Sequence, residues 1–215
     1  MPIDDATRFE QLHDHYKETF SCVQSAIAQR DRFFLTTLGS AVLLVFRALS
    51  PQATAQNIAA FLTTKFEFPQ VDVSVFGSAL WFVLLYSTIR YLQFTVQVER
   101  RYPYLHAIEN ILSEAYAGGI AFTREGKAYL DKYPKFSKWV SFLYGLAFPA
   151  LLLFAVLISM ALDLSRELLP AARIFNLFIG LMLVTSVGLY LLLHWEKKRA
   201  EKPTPSTNRR TKNHG

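Results

Sequence analysis

Apolar residues along this chain are gathered into four long runs, at 33–49, 73–94, 139–162 and 174–195, and none of them contains Asp, Glu or Lys. A hydrocarbon core about 30 Å thick takes roughly 20 helical residues, with about 17 as the lower end, so each run is long enough to cross a bilayer. The runs fall as two close pairs on either side of one long polar interval, 99–138. The pattern predicts an all-α integral membrane protein with four transmembrane helices arranged as two hairpins, carrying cytoplasmic amphipathic helical extensions.

The polar stretches have their own periodicity. Thr7 and Glu10 form a capping box, in which hydroxyl and carboxylate each satisfy a free backbone N–H at a helix start. Phe9, Leu12, Tyr16, Phe20, Val23 and Ile27 follow at spacings of three and four, giving one apolar stripe. No Pro or Gly interrupts residues 4–36, so this helix is expected to continue into the first span. A helix over 7–49 is a rod roughly 65 Å long, more than a bilayer thickness. Ser50 and Pro51 start a short external helix at about 51–65. Phe66, Phe68 and Pro69 suggest an interfacial loop, with a re-entrant segment as the alternative.

The second span continues past the membrane with no breaker until Pro103. A second stripe then runs through Tyr104, Leu105, Ile108, Ile111, Leu112 and Ala115 to Gly118-Gly119, and a short capped helix is expected over 123–133. The two stripes either pack on each other within the chain or dock another subunit or protein. The divisions are therefore an amphipathic helix at 1–32, a first hairpin at 33–94, a cytoplasmic helical segment at 95–138, a second hairpin at 139–195 and a disordered basic tail at 196–215. Pro149 is expected to kink the third span. Ser141 with Gly145, and Ala155 with Ser159, are small-residue pairs that favour close helix packing.

Charge orients this layout. The formal charge of +6 invites a nucleic-acid reading, but 18 basic residues lie in the N-terminal, central and tail segments, against four (Arg47, Lys65, Arg166, Arg173) at the two short loops. That bias puts both termini and the central segment in the cytoplasm. About 30 polar residues precede the first run and open with Asp4 and Asp5, so it is expected to be retained rather than cleaved as a signal peptide. The single cysteine, Cys22, excludes a disulfide within the chain, and no Asn-x-Ser/Thr sequon occurs, which fits a bacterial inner membrane.

Candidate chemistry is sparse. Phosphate-cradling loops, HExxH and a nucleophile elbow are missing. His13 and His15 point to nearly opposite sides of a helix. His106 and Glu109 are read as surface polar residues, and Asn176 as a minor polar group near the outer end of the fourth span. With the third span ending at Leu162, no carboxylate lies within a span, so proton coupling and intramembrane proteolysis lack their central groups. Arg90 is the ionisable exception. It either snorkels to the headgroups or, with Gln93 and Gln97, lines an inner pore mouth. The aromatic and basic residues of the central segment are read as an interface belt.

No enzyme activity, cofactor or metal is expected. The partners are the lipid bilayer, further copies of the chain in a homo-oligomer and a soluble cytosolic protein, with no specific nucleic-acid binding. Leu12, Tyr16, Phe20, Val23, Leu105, Ile108 and Leu112 are the expected partner or oligomer contacts. The layout of helix, hairpin and helix in the first half resembles that of small membrane effectors in bacterial defence and stress systems, a likeness of layout and not of motif. The expectation is a membrane-perturbing or pore-forming effector controlled through its cytoplasmic helices. The alternative is a scaffold or assembly factor that tethers a soluble partner.

Overall fold

The computed structural model describes residues 5–66, 73–115, 134–165 and 170–200. It comprises α1 (Asp5–Leu49), α2 (Pro51–Phe66), α3 (Val73–Ala115), α4 (Pro134–Phe142), a π-helical turn (Leu143–Ala147), α5 (Phe148–Leu164) and α6 (Pro170–Ala200). Four helical stretches, within α1, within α3, from α4 to α5 and within α6, are long and apolar enough to cross a membrane. The expected end of the second stripe at Gly118-Gly119, the helix over 123–133, the loop at Phe68 and Pro69, and most of the basic tail lie outside the described residues.

α3 is the central element. Trp81, Leu84 and Tyr91 on it are fully buried, packed with Leu44 of α1, Leu152 and Val156 of α5, and Leu183 and Val187 of α6. Such burial leaves the outer faces for lipid: Leu38, Val42, Phe46, Phe82, Leu151, Phe154, Phe178 and Leu181 are exposed. Apolar side chains on the outside of a water-soluble protein of this size would be costly, whereas in hydrocarbon they meet their own kind.

α1 and α3 run antiparallel. Arg47 lies against Gly77, Phe33 against Phe94, and Tyr16 against Glu109, so their contact extends from one end of the apolar layer far beyond the other. Small side chains allow the close approach. Thr37 and Ser40 on α1, and Ser87 and Thr88 on α3, are buried, and Ser87 returns its hydroxyl proton to the Leu84 carbonyl. Gly180 of α6 serves α5 likewise, since an added Cβ there would lie 2.6 Å from the Met160 sulfur.

Two prolines behave differently from each other. α3 passes through Pro103 without ending. The ring removes the bond to the Glu99 carbonyl and crowds that carbonyl, but Pro103 is exposed, so the disturbance falls outside the packed seam. Before Pro149 the chain instead widens into the π turn, where the Phe148 N–H reaches back five residues to the Leu143 carbonyl. Tyr144 is thereby left without an intrahelical donor, because the next candidate, Pro149, has no N–H. The Tyr91 hydroxyl of α3 supplies one at 2.7 Å. A local defect in one helix has become a fixed contact to the central one.

Candidate functional site

Two polar clusters join the α1–α3 pair to the α5–α6 pair. The first gathers around Asp163, one residue from the end of α5. Its Oδ2 accepts from Arg47 Nη1 at 3.3 Å, Trp81 Nε1 at 3.2 Å and Asn176 Nδ2 at 3.3 Å. Ser78 donates to Asn176 Oδ1 at 2.9 Å, which orients the amide. Four helices thus meet at one carboxylate. Both partners of the ion pair have side chains only 7% exposed, so neither charge is compensated by solvent. A cavity of about 10 Å³ beside them, lined by Trp81, Asp163, Arg173 and Asn176 among others, has room for at most one water.

Gly77 makes this arrangement possible. A Cβ at that position would sit 2.5 Å from Arg47 Cζ. The guanidinium lies directly on the α3 backbone, and any larger residue at 77 would have to displace it.

The second cluster is at the other end of the layer. His194 Nε2 of α6 lies 2.9 Å from Glu99 Oε1 of α3, and the Tyr190 ring, tilted by 38° to the imidazole, lies 4.4 Å from it. Gly145 of the π turn faces the same ring. Trp81 to Glu99 on α3 and Asn176 to His194 on α6 are each 18 residues, so the clusters are separated by about 27 Å of helix rise. That nearly equals the hydrocarbon thickness of about 30 Å. Between them Phe34, Tyr91, Tyr144 and Phe148 are in aromatic contact, and the hydroxyls of Thr37, Ser40, Ser87 and Thr88 are buried on the facing sides of α1 and α3.

Arg90 leaves α3 midway between these levels. Its guanidinium lies 4.8 Å from the Phe94 ring and 5.6 Å from Phe33, and Nη1 donates to Gln93 Oε1 at 3.2 Å. The side chain therefore turns toward the Glu99 end, against the usual tilt of long helical side chains toward the N-terminus. Gln93 and Gln97 are exposed and line a groove of about 640 Å³ between α3 and α6.

Beyond Glu99 and His194, α1 and α3 continue as a two-helix extension. Val23, Leu105, Ile108 and Leu112 are buried in its seam, with Leu12, Tyr16 and Phe20 half-buried beside them. The two stripes meet within one chain. Glu109, expected at the surface, is instead 3% exposed; its carboxylate accepts from the Tyr16 hydroxyl at 3.1 Å and lies 3.2 Å from His106 Nδ1. The His/Glu spacing was visible, but the Tyr16 that buries it comes from 93 residues away.

Asp163 corrects a larger expectation. The third apolar helix reaches Leu164, two residues past the end set by the hydropathy pattern, and so takes in a buried carboxylate. Its charge is offset by Arg47, the single basic residue inside the first apolar run. Opposite charges at matching ends of two runs were the signal available in the sequence, together with Asn176. No group of three or more His, Cys, Asp or Glu among the described residues forms a metal centre. Comparison with protein-family models, curated proteins and solved structures finds no match. The fold and the two clusters define an all-helical, membrane-embedded protein, and its chemistry is read from these residues alone.

Proposed function

We propose that the protein is a non-enzymatic, multi-pass membrane effector that rests closed, and perturbs the membrane as a homo-oligomer when a cytosolic signal or partner engages its helical extension. The observation that carries this reading is the continuity of α1 and α3. Each is one unbroken helix from the extension through the apolar layer, and each delivers one half of a polar cluster, Arg47 from α1 and Glu99 from α3. A displacement of the extension is then felt at both clusters, and a packed core with two discrete arrangements converts it into opening. The setting is a bacterial inner membrane, with two transmembrane hairpins and both termini in the cytoplasm. The 18-to-four distribution of basic residues supports this sidedness.

Sidedness is checked through Cys22, the single cysteine, which is exposed. A membrane-impermeant maleimide is expected to label it in inside-out vesicles and not in intact cells; labelling of intact cells contradicts the orientation. For function, induction in bacterial cells is expected to collapse the membrane potential, with Arg90→Ala or removal of residues 1–25 altering the response. An unchanged potential at high expression, with and without cytosolic partners, would refute the effector reading.

A scaffold or assembly factor is the second reading, favoured by Ile111, which is 53% exposed on the extension. Leu105, Ile108 and Leu112 face α1 of the same chain, so a docking test belongs on Ile111. A soluble protein that co-purifies with the wild type and is lost from Ile111→Asp supports this reading.

A further inference from the structure

Arg90 differs from the ion-paired arginines Arg47 and Arg30. Arg47 meets Asp163 and Arg30 meets Asp31, whereas among the described residues Arg90 meets no carboxylate. Its Nη1 bonds the neutral amide of Gln93, two phenyl rings flank its guanidinium, and its Nε is buried without a partner. A cation within an apolar span is costly unless something anionic reaches it. Gln93 also belongs to the groove between α3 and α6, whose other walls include Leu92, Val96, Leu189 and Leu193. The charge and the apolar channel are thus joined through one side chain.

We infer that Arg90 and this groove form a binding site for an anionic phospholipid. The phosphodiester takes the guanidinium and the Gln93 amide, and one acyl chain lies along the leucine and valine wall. Charge complementarity selects this occupant. A zwitterionic lipid brings its own cation to the site, and a second copy of the chain would have to bring a carboxylate to an apolar surface. The Arg90 side chain turns toward the Glu99 and His194 end, which carries its guanidinium to the level of Phe94 and shortens the distance a headgroup phosphate must reach into the groove. The inference stands apart from the effector reading, since a scaffold would hold such a lipid equally well.

The test uses full-length protein in phosphatidylcholine vesicles containing a trace of spin-labelled phosphatidylglycerol or spin-labelled phosphatidylcholine. The immobilised fraction of each label is measured. Wild type is expected to favour phosphatidylglycerol roughly five-fold, the ratio that about 1 kcal/mol per arginine near a membrane surface produces. Arg90→Gln removes the preference, Arg90→Lys restores most of it, and Arg101→Gln, at an exposed arginine beyond the same end, retains it. Leu189→Trp with Leu193→Trp crowds the leucine wall of the groove without touching Arg90, so the double variant decides the matter even where Arg90→Gln misfolds: loss of immobilised phosphatidylglycerol supports the site, and an unchanged fraction overturns it. An equal preference in wild type and Arg90→Gln also overturns it. So does self-association of the protein that excludes both lipids from the groove.

Discussion

Asp163→Ala is expected to destabilise the protein by about 3–5 kcal/mol, because it leaves the Arg47 guanidinium buried and uncompensated. The loss is read as a fall in the thermal or denaturant midpoint of the purified protein in mild detergent. The carboxylate cannot be replaced by solvent, since both side chains are 7% exposed and the adjacent cavity of about 10 Å³ admits at most one water. Trp81 and Asn176 lose their acceptor at the same time. Asp163→Asn should cost less, as the amide oxygen still accepts from Trp81. The double variant Arg47→Met with Asp163→Leu should recover most of the stability, because a buried ion pair is worth little more than well-packed apolar residues of similar volume. A single variant as stable as wild type would mean that the ion pair does not join the two halves of the bundle.

Leu112→Asp is expected to open the extension while leaving the spans folded. Leu112 is 0% exposed in the seam between α1 and α3, at the far end from the apolar layer. Placing a carboxylate in that apolar seam costs about 3 kcal/mol or more. Amide hydrogen exchange over residues 9–27 and 104–112 should then quicken about a hundred-fold, the factor that 3 kcal/mol of local stability sets. Exchange in the core around Leu84 and Leu183 should stay slow. Uniform quickening throughout would show that the extension and the spans are one cooperative unit.

These two expectations rest on features of unequal visibility. The four spans and the two stripes could be read directly, because length and period are local properties of the chain. Arg90 with Gln93 was also legible, being an i,i+3 pair on one helix. The Asp163 cluster was not, although its parts were in view. Arg47 counted as a loop-end charge and Asp163 as the first residue after a span. Only the meeting of positions 47, 81, 163 and 176 turns these separate polar groups into one buried centre. The π turn was hidden for a related reason. Pro149 signals a helix defect, but whether a kink or a widened turn results depends on Tyr91 being placed to satisfy the Tyr144 carbonyl.

On the proposed effector reading, the spans are closed at rest and open when the extension or its connected clusters are disturbed. Potassium efflux from liposomes carrying purified protein tests this most directly. Wild type should leak slowly, while Leu112→Asp and Asp163→Asn, reconstituted at equal density, should leak markedly faster. Equal efflux from all three, no greater than from protein-free liposomes, would contradict the account.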